Sequence, residues 1–159
     1  MNRAARALLS AFGIGDLPGP TGTWASAATT VVLVAVHGAS PAPTAPGVLA
    51  AFALGTVATL AFGGRTGTTG SGDPSWVVSD EVAGQALALG VAGAVARGDP
   101  WVATALAFVL FRVLDIWKPG PVGAAERLPG GAGVLADDLL AGAIAGAAVA
   151  GARAAGLLG

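Results

Sequence analysis

LADDLLAGAIAGAAVAGARAAGLL, residues 135–158, opens on a doubled carboxylate, Asp137-Asp138. It then runs twenty residues on small and apolar side chains with one charge, Arg153. Alanine and leucine favour helix. The glycines would weaken a helix in water, but membrane helices tolerate them and use them to bring backbones close. Gly142 with Gly146, and Ala141 with Ala145, form small-xxx-small pairs, a pattern that arises easily in so alanine-rich a segment. The stretch predicts a helix. Four more apolar stretches, at 24–36, 47–62, 82–96 and 101–114, extend the reading to an all-α bundle of about five main helices in a single domain, 1–159.

Composition sets the surroundings of that bundle. Hydrophobic residues make up 54% of the chain and charged residues 11%, where soluble domains carry roughly 25% charged. So few charges cannot cover a globule of this size, and the uncovered surface must face lipid or other subunits. Most of the stretches are short for a span, which needs ~20 residues, or ~17 at the low end. Three arrangements compete: short spans extended by polar turns, buried helices of a compact bundle, and partly re-entrant segments. Membrane-embedded helices are the favoured reading, because the polar surface needed for solubility is missing.

Other classes are excluded. The net charge is −1 with no basic run, which argues against nucleic acid as a partner. The chain has no cysteine, so disulfides, thiolate metal sites and cysteine nucleophiles do not arise. Residues 1–11 carry Arg3 and Arg6 before a short apolar run, too short for a signal peptide.

The connectors fall into two groups. Residues 37–46 and 97–100 are bland, whereas 12–26, 65–81 and 112–138 hold nearly all the unusual side chains. If the five stretches cross a membrane in turn, the three unusual segments share one face. Arg3, Arg6, Arg65, Arg112, Lys118 and Arg127 then lie on that face, against Arg97 and Arg153 opposite. The bias makes the shared face cytoplasmic.

The acids are unevenly placed. Asp80-Glu81 opens the third apolar stretch and Asp137-Asp138 the fifth; Asp115 lies near the end of the fourth, and Asp73 in the loop before Asp80. Burying adjacent carboxylates is costly without a compensating cation. Mg²⁺ suits them, taking oxygen ligands and keeping sites for water and substrate phosphate. Acids at helix starts also stabilise the helix dipole, and one of each pair is expected to cap. In FVLFRVLDIWKPGP (108–121), Arg112, Asp115 and Lys118 are spaced i, i+3, i+6 and share a face if the helix continues; Pro119 ends or bends it. Two cations flanking a carboxylate suit phosphate, with Arg as bidentate donor and Lys as point charge; the alternative is a self-neutralising ion network. LPGGAG (128–133), with Gly130 and Gly131, is a turn that could present backbone N–H groups to phosphate, but no P-loop Gly-Lys-Ser/Thr follows. In 12–26, Thr21, Thr23 and Ser26 are candidates to cap the first helix or to touch phosphate or metal. His37, the sole histidine, falls on the opposite face. A phosphohistidine or cysteine mechanism is therefore excluded. Metal-activated water remains, or a carboxylate nucleophile, although no Asp-x-Asp after a strand is present.

Four segments together resemble the phosphatidylglycerophosphatase A family: FGIGDLPGPTGTWAS (12–26), DPSWVVSDEVAG (73–84), FVLFRVLDIWKPGP (108–121) and LPGGAGVLADDLLAG (128–142). The resemblance implies an all-helical enzyme of the bacterial inner membrane, multi-pass, with its site facing the cytoplasm. It implies Mg²⁺-dependent hydrolysis of the phospholipid phosphatidylglycerophosphate to phosphatidylglycerol and inorganic phosphate. Carried over by position, Asp80, Glu81, Asp137 and Asp138 are the metal ligands, and these with Asp115 the catalytic acids. Arg112 and Lys118 hold phosphate, with Thr23, Gly130 and Gly131 as further candidates. The family's Pro-Gly-Thr-x-Gly-Ser is here Thr21-Gly22-Thr23-Trp24-Ala25-Ser26, so the Pro and the second Gly are replaced. Two other classes fit the residues less well. A non-catalytic cation-binding or transport subunit explains the carboxylates but not the Arg and Lys beside them. A CDP-donor phosphotransferase would need an Asp-Gly-x-x-Ala-Arg signature, which the chain lacks.

Overall fold

A computed structural model describes residues 1–63 and 74–158. Arg65 and Asp73, singled out above, lie outside the described residues. The described residues form seven α-helices and no strand: α1 (Arg3–Leu9), α2 (Thr21–His37), α3 (Pro46–Phe62), α4 (Ser79–Ala92), α5 (Pro100–Trp117), α6 (Pro121–Ala125) and α7 (Gly131–Ala154). A 3₁₀ turn, Ile14–Asp16, precedes α2. The expected five main helices are α2, α3, α4, α5 and α7. The count is nevertheless seven, because α1 and α6 are too short to show as apolar stretches.

Local chemistry explains most boundaries. Asn2 caps α1 by accepting from the Ala5 N–H at 2.8 Å. Asp99 caps α5, accepting from Trp101 and Val102, with Pro100 at the first helical position, where its missing N–H costs nothing. Pro46 and Pro121 begin α3 and α6 in the same way. Pro119 follows the end of α5 at Trp117, as expected. The α7 start differs most from expectation. The glycines of 128–133 mark a loop, yet the helix begins at Gly131. Gly133 lies where a Cβ would collide with the Leu128 carbonyl, so glycine serves a tight entry into the helix rather than a phosphate loop.

α4 is the axis of the bundle. It packs most extensively on α7, then on α3, and also touches α2 and α5. One core cluster joins Leu33, Val48, Leu89, Ala107 and Val149; a second joins Ala88, Phe111, Val122, Ala141 and Ala145. The α4–α7 seam is built from small residues. A methyl group on Gly84 would stand 2.7 Å from the Asp138 carbonyl oxygen and from the Phe111 ring, and one on Gly142 would collide with the Gly84 carbonyl. The 141–146 small residues thus do form a packing face, though within one chain. Gly84→Ala is expected to destabilise the protein by about 1–3 kcal/mol through overpacking. Gly151→Ala, where a Cβ meets nothing within 4 Å, should be neutral or mildly stabilising. Thermal unfolding of both variants in detergent checks the pair; equal melting points would refute the seam.

The two ends of the bundle differ in chemistry. One end gathers the 12–26 segment, the 74–78 strand of loop and the 112–138 region. At the other end, the Gly47 N–H donates to His37 Nε2 at 3.0 Å, and buried Arg153 donates to the Arg97 and Ala92 carbonyls and to Ser40. His37 serves the backbone. Two helices, α5 and α7, are long and apolar enough to cross a membrane; α3 is a shorter apolar helix.

Candidate active site

Three helices deliver five carboxylates to one cavity of about 210 Å³. Asp80 and Glu81 come from the first turn of α4, Asp115 from the last turn of α5, and Asp137 and Asp138 from α7. Asp137 and Asp138 do not start their helix. They lie about two turns inside α7, so the expected capping role does not apply to them; nothing at the helix start explains their burial at 3% exposure each.

Arg112 and Lys118 meet this cluster by different routes. Arg112 donates to Asp115 Oδ2 at 2.6 Å and to Ser26 Oγ at 3.4 Å. Lys118 is not on the α5 face, as a continuing helix would have it. It follows the helix in the left-handed conformation, φ 46° and ψ 53°, which costs a non-glycine residue roughly 1–2 kcal/mol. Glycine would be the cheap choice at such a helix end. From there its Nζ donates to Asp137 Oδ2 at 2.5 Å and to Glu126 Oε1 at 2.9 Å. The strained backbone holds an ammonium against two carboxylates, and strain of this kind clusters at functional sites.

Electrostatics follow from burial. Burial, then the neighbouring Glu81 charge, push the Asp80 carboxyl well above the usual carboxylate range. Burial also raises Glu81. For Lys118, burial works downward, but the hydrogen bonds it donates to Asp137 and Glu126 outweigh it and hold the ammonium above the ordinary lysine value.

Of the other expected residues, some join the cavity and some do not. Thr21 lines it and donates to the Ser75 carbonyl. Thr23 instead faces an outer apolar groove with Val109, Ile116 and Trp117. Gly130 and Gly131 do not line the cavity. None of Thr21, Thr23 and Ser26 caps α2, whose N-cap is Pro20 without a side-chain bond. Gly22 explains itself: a Cβ there would collide with the Glu81 carboxylate and stand 3.1 Å from Arg112. Glu126 was not anticipated. It lies beyond Pro119 and Pro121, where no helical periodicity links it to Lys118.

The donor set suits a divalent cation. Among the described residues, Asp80 Oδ1, Glu81 Oε2, Asp137 Oδ1 and Asp138 Oδ2 are buried without a hydrogen-bond partner. Such acceptors are expensive unless something satisfies them. Two sets of three acids could each surround an ion, Asp80–Glu81–Asp138 and Asp115–Asp137–Asp138, with ligand atoms within 4.8 Å of one another.

The fold and the cavity define the class: an all-helical protein whose helices gather buried carboxylates, an Arg and a Lys at one end of the bundle. The family model of phosphatidylglycerophosphatase A matches residues 7–153, and the chain belongs to that family of lipid phosphatases. A protein of Bacteroides thetaiotaomicron described as "Putative phosphatidylinositol-3-phosphatase" is 35% identical over 133 residues, covering 82% of each chain. Phosphatidylglycerophosphatase A of Escherichia coli K12 is 47% identical over 45 residues, 28% of this chain and 26% of that protein. No solved structure matches the chain significantly.

Proposed function

We propose that the chain is a Mg²⁺-dependent lipid phosphate monoesterase that converts phosphatidylglycerophosphate to phosphatidylglycerol and inorganic phosphate. One observation carries the reading: five carboxylates from α4, α5 and α7 converge with Lys118 on a single cavity, four of their oxygens lacking partners, while Arg112, outside the cavity lining, pairs with Asp115.

Asp80, Glu81, Asp137 and Asp138 would hold the metal, whatever its ion count. When bound, it would offset charge on the phosphoryl oxygens and ease ionisation of a water. A carboxylate of the cluster, Asp115 among them, takes the proton of the attacking water. As the water oxygen bonds to phosphorus, the bond from phosphorus to the lipid oxygen breaks. Lys118 and Arg112 offset the charge on the transferring group. The proton passes to the departing lipid oxygen, leaving the lipid alcohol and inorganic phosphate.

A multi-pass inner-membrane location with the site toward the cytoplasm completes the reading. Trp101 and Trp117 stand exposed at the two ends of α5, 63% and 82%, and lie about 24 Å apart along the helix axis. Tryptophan favours both interfaces of a bilayer. Val31, Val36, Leu54, Val57 and Val113 are exposed along the helices between. Arg3, Arg6, Arg112, Lys118 and Arg127 belong to the site end, against Arg97 and Arg153 at the other.

The test is phosphate release by purified protein in detergent micelles from phosphatidylglycerophosphate, phosphatidic acid and a phosphatidylinositol 3-phosphate. The expected outcome is Mg²⁺-dependent release, fastest from phosphatidylglycerophosphate and lost with EDTA. Faster release from the inositol lipid would move the substrate to the class in the Bacteroides relative's name. Release unaffected by EDTA would end the metal reading, and no release from any of the three would favour a non-catalytic cation-binding protein.

A further inference from the structure

We infer that the cavity takes two divalent cations, not one, with Asp138 as the ligand common to both. The inference rests on the metal-dependent reading above and deepens it.

The two possible ligand sets draw on different helices. Asp80 and Glu81 belong to α4, Asp115 to α5 and Asp137 to α7; Asp138 alone appears in both sets. Its position, one residue from Asp137 and against Gly84 of α4, lets one side chain serve two neighbours.

The unpartnered oxygens decide between one ion and two. They are spread over both sets: Asp80 Oδ1 and Glu81 Oε2 in the first, Asp137 Oδ1 in the second, and Asp138 Oδ2 in both. An ion in the first set alone leaves Asp137 Oδ1 buried and unsatisfied. An ion in the second alone leaves Asp80 Oδ1 and Glu81 Oε2 in that state. Only the two sets filled together engage all four acidic residues whose oxygens lack partners.

Charge gives the same answer independently. Among the described residues, six carboxylates line the cavity, Glu126 included, and two cationic side chains pair with them: Lys118, with Glu126 and Asp137, and Arg112, with Asp115. Four negative charges are left over. One dication halves that surplus and two cancel it.

The basic side chains also leave the second set open. Lys118 takes Asp137 Oδ2 and Arg112 takes Asp115 Oδ2. Asp137 therefore keeps its other oxygen, Oδ1, without a partner and in an orientation fixed by the paired one. Room is sufficient: paired ions in such centres sit about 3.5–4 Å apart, and the cavity measures about 210 Å³.

Mn²⁺ serves as the probe, on the full chain in detergent. Equilibrium dialysis is expected to give two Mn²⁺ per chain, and low-temperature electron paramagnetic resonance a spin-coupled pair. Asp80→Asn should lower binding to one ion with an uncoupled spectrum, and Asp138→Asn should weaken both. Saturation at one ion per chain in the wild type, or two ions without coupling, overturns the inference. The wild-type measurement decides even if a variant fails to fold. One ion together with Mg²⁺-dependent phosphate release leaves the phosphatase reading intact and removes only this one. Two coupled ions without release from any lipid phosphate does the reverse.

Discussion

Asp138→Asn is expected to lower kcat/KM for lipid phosphate hydrolysis by about 10³-fold or more, well past the 10–100-fold typical of groups that merely orient metal ligands. Asn keeps the shape of the side chain and the α4–α7 packing around it but removes the ionised acceptor. Asp138 is 3% exposed, has an unpartnered oxygen, and is the one residue shared by both possible ion sites. Excess Mg²⁺ should not restore the rate, and circular dichroism should show unchanged helix content. A variant that keeps more than a tenth of wild-type turnover would remove Asp138 from the centre.

Lys118 carries the second large effect. Lys118→Ala and Lys118→Gly should each lower kcat/KM by about 10²–10³-fold, the loss typical when one preorganised donor to a developing charge is removed. The two variants should part in stability. Glycine is at ease in the left-handed conformation that Lys118 holds, so Lys118→Gly should unfold at a higher temperature than Lys118→Ala by the equivalent of about 1 kcal/mol. Lower stability with unchanged turnover in both would make Lys118 only a neutraliser of Asp137 and Glu126.

Much of the fold could be read directly from periodicity-free apolar stretches, because each main helix is bounded by residues with local meaning. Asp99-Pro100 and Pro119 bracket α5, and Pro46 opens α3. The α7 start was not legible. Gly131 and Gly133 signal a loop locally, yet both lie in the helix, with Gly133 packed tightly against the Leu128 carbonyl. The acids were legible as doubled carboxylates in an acid-poor chain, and the structure brings both pairs and Asp115 together. The role of helix starts was not: Asp137 and Asp138 follow α7 inward, where burial rather than the helix dipole governs them. Lys118 reaches the cluster through a backbone reversal that no spacing rule contains. Glu126 joins through a contact set up by two prolines and a five-residue helix, which sequence distance hides. Thr23, Gly130 and Gly131 show the converse error, since composition suited to phosphate does not say which way a turn faces.

The Gly84–Gly142 crossing has a consequence beyond stability. Asp80 and Glu81 ride on one helix of that crossing and Asp138 on the other, with main chain touching main chain between them. The gap across which they would grip an ion is therefore gauged by backbone radii, with little slack for side chains to absorb. On the proposed metal reading, bulk added at the crossing would spread the jaws and bias the centre from Mg²⁺ toward the wider Ca²⁺, and ion preference would then rest partly on residues that touch no ion.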